Sequence, residues 1–351
     1  VGTGFPSDPT ARKNFGGSGK VGTGFPSDPT ARKNFGGSGK VGTGFPTDPT
    51  KYEKANSSTM ALEFVFLGTG CPVAIPERRG PAHLVRAGDT AVLIDCGSGV
   101  AQQLVAAGQS IADIDALIVT HYHSDHLVDF YSLVQSAWYQ GRRTPWRVIA
   151  PQPVLDHIAR QMAAWQDERD LRIAYEQRPA GAAVFDLDLI EMQADAPLEI
   201  GALRVRPFLV NHAPVELAFG LHVSDGPSSL VFSGDTAPCG TLAEAARKVD
   251  LLIHEVFLHG EMKPIPGVRS EDTIAAVTRY HTVPEDVASL AAHADVKCLA
   301  LTHFVPPVFD RQVLLDTIRQ TYGGPTIIGQ DLMRIDVSTG RVFYRDMLLG
   351  L

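Results

Sequence analysis

Nowhere in the 351 residues is there a run of roughly 18 apolar side chains, so the sequence offers no membrane-spanning helix. Cysteine is scarce. Cys71, Cys96, Cys239 and Cys298 are scattered and form no CxxC pair, which excludes a disulfide framework and a cysteine-built zinc ribbon. Nucleotide-cradling loops are also missing: Gly68-Thr69-Gly70 and the earlier Gly-Thr-Gly copies lack the GxxxxGK[ST] and GxGxxG spacings. The segment after Met60, ALEFVFLGTG, has no basic stretch before its apolar residues and reads as a strand, not a signal peptide. Reduced thiols and a cytoplasmic location are the expectation.

What is present begins with a repeat. Residues 1–20 recur letter for letter at 21–40, and a third, diverging copy starts at Val41. These copies are rich in Gly, Pro, Ser and Lys and carry no apolar periodicity, so they cannot bury enough surface to offset chain entropy. The expected organisation is an appended, non-native leader over 1–59 and one hydrolase domain over 60–351. Of the 31 Lys/Arg and 39 Asp/Glu, eight and four fall in that leader, leaving 23 and 35 and a formal charge of −12. Such a body has no global electrostatic reason to bind nucleic acid, although a local basic groove is compatible with it.

Apolar periodicity over 60–351 predicts strands at Glu63–Leu67, His83–Ala87, Ala91–Asp95 and Ala116–Thr120. Later strands are predicted at Val184–Met192, Leu203–Val210, Ala218–Val223, Leu230–Ser233, Leu251–Ile253 and Lys297–Thr302. Helical spacing marks Ala101–Ala107, Leu127–Trp138, Pro153–Trp165, Leu242–Lys248, Pro284–His293 and Arg311–Tyr322. Early strands follow one another through tight turns and later ones alternate with helices, which suggests two sheets with helices packed outside.

The densest chemistry is Thr120-His121-Tyr122-His123-Ser124-Asp125-His126, directly after the apolar Ala116–Thr120 strand. Two histidines at a spacing of two project the same way from an extended or turn backbone. Asp125 and His126 are then expected to enter the next helix. Imidazole and carboxylate are the ligands of zinc or a similar borderline ion. Asp125 alone would equally serve as a helix cap, and a lone histidine as a surface residue. Three histidines and an aspartate at a strand end favour a metal site.

This HxHxDH run resembles the metallo-β-lactamase superfamily, and further motifs follow in order. Leu67-Gly68-Thr69-Gly70 resembles the opening strand and turn, and Leu93-Ile94-Asp95-Cys96-Gly97 the next strand end. Val210-Asn211-His212, Phe232-Ser233-Gly234-Asp235-Thr236 and Leu301-Thr302-His303-Phe304 match the later motifs. The resemblance implies an α/β fold, a four-layer αβ/βα sandwich of two mixed sheets with helices outside. It also implies a dinuclear centre with His121, His123 and His212 on one ion. Asp125, His126 and His303 would hold the other, with Asp235 bridging. Two zinc ions are expected, with manganese or iron as alternatives, activating a shared hydroxide.

Leu252-Ile253-His254-Glu255-Val256-Phe257 and His281-Thr282 resemble motifs of the ribonuclease Z and phosphodiesterase branch, although Val256 departs from its alanine. Pro76-Glu77-Arg78-Arg79-Gly80-Pro81 is similar to zinc arylsulfatase relatives, where a solvated loop is expected. Catalytic roles are assigned to Asp125, His281, His254 and Glu255, with His281 protonating the leaving group. Ribonuclease Z carries a long tRNA-gripping arm between its third histidine and bridging aspartate. Here that interval is filled by two predicted strands between His212 and Asp235. The expectation is therefore a dinuclear hydrolase of small anionic esters, an arylsulfatase or phosphodiesterase, with nucleic acid not expected as a partner. A lactonase is the alternative; tRNA maturation and a non-catalytic scaffold rank lower. The resembling branch also implies a homodimer.

Overall fold

The computed structural model describes residues 61–345 and 347–350. The predicted leader over 1–59 and Met60 lie outside the described residues.

The first half of the chain contributes β1 (Glu63–Gly68), β2 (Ala82–Ala87), β3 (Thr90–Ile94), α1 (Val100–Ala106), β4 (Ala116–Ile118), α2 (Phe130–Tyr139) and β5 (Trp146–Ala150). Then come α3 (Gln152–Ala164), α4 (Gln166–Glu176) and β6 (Leu187–Glu191). An antiparallel run follows: β7 (Leu198–Ile200), β8 (Leu203–Leu209), β9 (Phe219–Ser224) and β10 (Ser229–Phe232). The remainder is α5 (Gly240–Ala245), β11 (Leu251–Phe257), α6 (Glu271–Thr278), α7 (Pro284–His293), β12 (Leu299–Val305), α8 (Arg311–Arg319), β13 (Thr326–Ile328), β14 (Arg334–Asp336), β15 (Arg341–Tyr344) and β16 (Met347–Gly350).

Two mixed sheets result. One has the order β16-β15-β14-β1-β2-β3-β4-β5-β6, the other β13-β12-β11-β10-β9-β8-β7. In each, an antiparallel meander gives way to parallel strands joined by helical crossovers: β3 to β6 in the first sheet, β10 to β13 in the second. Alternation of side chains along β1 shows how the layers separate. Phe64 and Phe66 face inward to Val85, Ile94, Leu221 and Phe232, while Val65 and Leu67 face outward against Leu104 and other helix residues. A third cluster packs Val231, Leu252 and Leu301 against α5, α7 and α8. Helix, sheet, sheet, helix is the predicted four-layer sandwich. Each fully buried Phe or Leu contributes about 1.5–3 kcal/mol of transfer free energy.

Several expectations are corrected by the structure. Asp125 and His126 lie in a 3-10 turn, Ser124–His126, and α2 begins only at Phe130. The strand expected at Leu251–Ile253 continues to Phe257, so His254 and Glu255 belong to the ladder with β12. Trp146–Ala150 and the short strands after Thr326 escaped the sequence reading, the latter because three or four residues carry too little periodicity to register.

Strand ends near the future site depart from regular backbone. Asp95, Gly234 and His303 have φ of 60°, 60° and 43°, and His303 is the extra residue where the β11–β12 register shifts. Such left-handed turns and bulges re-aim side chains out of the pleat. At Gly234 a Cβ would stand 2.5 Å from the Phe219 carbonyl oxygen, so only glycine fits there. Gly234→Ala is therefore expected to lower stability by more than about 1 kcal/mol in urea unfolding. An unchanged unfolding midpoint would contradict the tight approach.

Candidate metal centre

Parallel strands deliver their polar residues at their carboxyl ends, and the chemistry gathers there. His121 follows β4, Asp235 follows β10, and His303 sits within the bulged β12. His212 comes from the loop after β8, and His123, Asp125 and His126 from the turn after β4.

The ring nitrogens converge in two groups. His121 Nε2 lies 3.0 Å from His123 Nδ1, and His212 Nε2 lies 3.1 Å from the same atom. In the second group, His303 Nε2 is 3.4 Å from Asp125 Oδ2 and His126 Nε2 is 3.7 Å from it. Asp235 Oδ2 stands between them, 3.3 Å from His303, 3.4 Å from His126, and 3.9 Å from both His121 and His212. Tetrahedral ligands bonded to an ion at 2.0–2.1 Å are about 3.3 Å apart, and these spacings scatter around that value. The buried His126 Nε2 has no hydrogen-bond partner among the described residues. The donor set fits divalent metal, with Asp235 placed to serve both groups.

The opposite ring nitrogens are held by the protein. His121 Nδ1 is 3.0 Å from Thr120 Oγ1, His126 Nδ1 is 2.8 Å from Asp95 Oδ2, and His212 Nδ1 donates to the Tyr280 carbonyl at 2.8 Å. Such outer contacts fix the tautomer and turn the remaining nitrogen inward. Asp95 also accepts from Thr120 N and Thr120 Oγ1, so one buried carboxylate positions both ends of the motif. Asp95 stood in the sequence only as a strand-end motif residue. Its role is visible once it meets His126, 31 positions away.

Electrostatics suit cations. Burial keeps His121 well below the usual imidazole range and brings His212 to about 4, so both are neutral, the ligand form. Burial alone would also strip His126 of its proton, but Asp235, Asp95 and Asp125 raise its pKa well above normal. The same three carboxylates would favour any cation at its Nε2. Burial would raise Asp125, yet His126 and His303 hold it down at about 2.

Glu255, His281 and His254 divide. Glu255 Oε1 accepts from His281 Nδ1 at 2.9 Å, from Thr236 N at 3.1 Å and from Thr282 N at 3.2 Å. His281 lies beside Asp235 and His303, with one donor atom of each within 4.8 Å of the others. Burial would lower its pKa, but Glu255, by charge and hydrogen bond, and Asp235 raise it to about 8. His254 is not brought to the cluster: its Nδ1 lies 2.6 Å from the Glu255 carbonyl oxygen, and alternation places it on the other face of β11 from Glu255. Arg78 is buried, contrary to the expected solvated loop. Its Nη1 donates to Thr69 Oγ1 and, at 3.1 Å, to Gly329 O, and its guanidinium stacks 4.3 Å over Phe304. Arg79 is exposed, as expected.

Because Asp95 orients His126, Asp95→Ala is expected to weaken metal affinity about 10- to 100-fold, measured by competition with a chromophoric chelator. Retained affinity would show that His126 needs no such support.

A family described as "Beta-lactamase superfamily domain" matches residues 90–304. Among curated relatives, a ribonuclease Z of Mycobacterium sp. (strain KMS) is 32% identical over 283 residues, covering 80% of this chain and 97% of that protein. One of Mycobacterium marinum is 31% identical over 296 residues, covering 79% and 99%. Among solved structures, a metallo-β-lactamase fold protein of Bacillus subtilis aligns with a TM-score of 0.60 at 19% identity, covering 78% of this chain and 98% of that one. The short form of human tRNase Z aligns at 0.59 and 21% identity, covering 78% and 99%. These relatives overturn the ranking of small anionic esters above RNA, and with it the expectation of a small-molecule partner and no nucleic acid. The argument from the missing arm fails because proteins named ribonuclease Z are matched almost end to end by a chain with only the short His212–Asp235 interval. The argument from net charge fails because binding responds to the local field, which a total over the whole body does not describe. Arylsulfatase activity finds no support among them. No helix among the described residues is long and apolar enough to cross a membrane. By a family match over residues 90–304 and by relatives at 32% identity, the chain belongs to the metallo-β-lactamase superfamily of hydrolases.

Proposed function

We propose that this chain is a metal-dependent ribonuclease that hydrolyses an RNA phosphodiester, in the manner of tRNA 3′-end processing. The observation that carries the reading is the pair of ligand groups sharing Asp235, with His281 beside them. The ribonuclease Z relatives, matched over 97% of their length, supply the substrate class.

Two divalent ions, zinc or alternatively manganese or iron, suit the donor atoms: His121, His123 and His212 for one, Asp125, His126 and His303 for the other, Asp235 between. When bound, such ions lower the pKa of water and polarise phosphate oxygens. Asp125 is assigned to holding a cation, not to moving a proton. The chain's own residues supply the rest. Water oxygen bonds to phosphorus as the water gives up a proton to solvent, the bond from phosphorus to the leaving ribose oxygen breaks, and that oxygen needs a proton. His281 is placed to give it. Its Nδ1 is engaged by Glu255, which leaves Nε2 to donate, and the residue clusters with Asp235 and His303. Glu255 acts through His281 as a positioning residue, and its bonds to Thr236 N and Thr282 N tie it to the turn carrying Asp235. His254 has no part in this proton path.

Metal-replete protein, carrying about two ions per chain by elemental analysis, is expected to cleave a 3′-extended tRNA precursor, and chelation to abolish cleavage. Intact precursor with replete protein, or cleavage by metal-free protein, would remove the proposal. His281→Ala should lower kcat by roughly 10²–10⁴ while metal content holds. The acid form of His281 is the active one, so kcat falls as pH rises through its pKa. Glu255→Gln removes the charge that raises that pKa, and the alkaline limb of the pH–rate profile should move to lower pH. An unmoved limb would detach Glu255 from His281 in catalysis.

A further inference from the structure

Tyr280 lies against the centre and has no role in the account so far. Its backbone is pinned at both polar groups: its N–H donates to Val277 O at 3.2 Å, and its carbonyl accepts from His212 Nδ1 at 2.8 Å. Its ring stands edge-on to His212, centroids 5.2 Å apart, and packs at 4.8 Å against His281. The phenol thus packs against both an imidazole of the first ligand group and the imidazole proposed to donate the proton, whose ring centroids themselves stand 5.2 Å apart. Tyrosines in the HxHxDH run or soon after it have their hydroxyls engaged. Tyr122, flanked in sequence by His121 and His123, is 3.1 Å from His157 Nδ1, and Tyr131 donates to Glu168 at 3.3 Å. Tyr280 is only partly buried, and among the described residues its hydroxyl has no hydrogen-bond partner.

A phenol is protonated near neutrality and is a strong donor to an anionic oxygen. An anionic phosphate held at the two ligand groups would present non-bridging oxygens to the side of the centre that this ring borders through His212 and His281. Building on the phosphodiester reading above, we propose that the Tyr280 hydroxyl is a catalytic group that donates a hydrogen bond to a non-bridging oxygen of the phosphate under attack. Because the backbone is held on both sides, the donor is preorganised and the bond requires little rearrangement as negative charge accumulates on that oxygen.

The test compares full-length, metal-replete wild type with Tyr280→Phe, which keeps the ring and the carbonyl that holds His212. Metal content by elemental analysis should be unchanged. Binding of inorganic phosphate, followed by calorimetry, should weaken about tenfold, the loss expected for one hydrogen bond to a charged group. Precursor cleavage should fall in kcat by on the order of 100-fold with little change in KM. Unchanged phosphate affinity, loss of metal, or no phosphate binding by wild type would each overturn the assignment. If wild type binds phosphate and Tyr280→Phe weakens it while tRNA precursors stay intact, the RNA reading fails and Tyr280 keeps its role.

Discussion

A single buried carboxylate oxygen organises the molecule's chemistry. Asp235 Oδ2 lies within 3.3–3.9 Å of four imidazole nitrogens, from His121, His126, His212 and His303, while its residue is only 4% exposed. An ionised carboxylate in such a place is costly unless positive charge or hydrogen-bond donors surround it. Burial works against its charge, and the histidines around it, His303 and His126 foremost, hold its pKa well below the usual range. The demand for cations at this point explains why five histidines from distant parts of the chain point inward.

Meeting that demand costs regular backbone at the strand ends. Asp95, Gly234 and His303 each take left-handed conformations, and His303 leaves the β11–β12 ladder to reach the centre. The sandwich tolerates this because both sheets are packed on both faces, with Phe64, Phe66 and Phe232 closing the space beneath the site around the buried His83. His83 itself is driven to about 3 by burial and stays neutral, a core residue and not a ligand. Rigid surroundings hold the strained turns, and the turns aim the ligands.

Glu255 ties His281 to this centre. With Oε1 accepting from His281 Nδ1 and from two backbone amides, it joins β11, the Asp235 turn and the residue that leads into α7. Its neighbour His254 differs by one position and so faces the other side of the sheet. That contrast shows how little a motif says without the pleat that presents it.

Much of this was legible in the sequence. The HxHxDH run, the asparagine–histidine pair, the SGDT turn and the final Thr-His-Phe, through the family pattern they resemble, pick out the seven side chains that the fold brings together. Two sheets with helices outside followed from the apolar pattern, and the four-layer sandwich from the family resemblance that the same motifs carry. Helix entry at Asp125, the place of His254, the burial of Arg78 and the supporting carboxylate of Asp95 were decided only by tertiary structure. Each depends on contacts between residues far apart in sequence, or on which face of a strand meets the core, and local periodicity encodes neither. The members of the cluster were written in residue identity and order; their distances, the partners that hold their outer nitrogens and the charge around Asp235 exist only after two sheets have packed together.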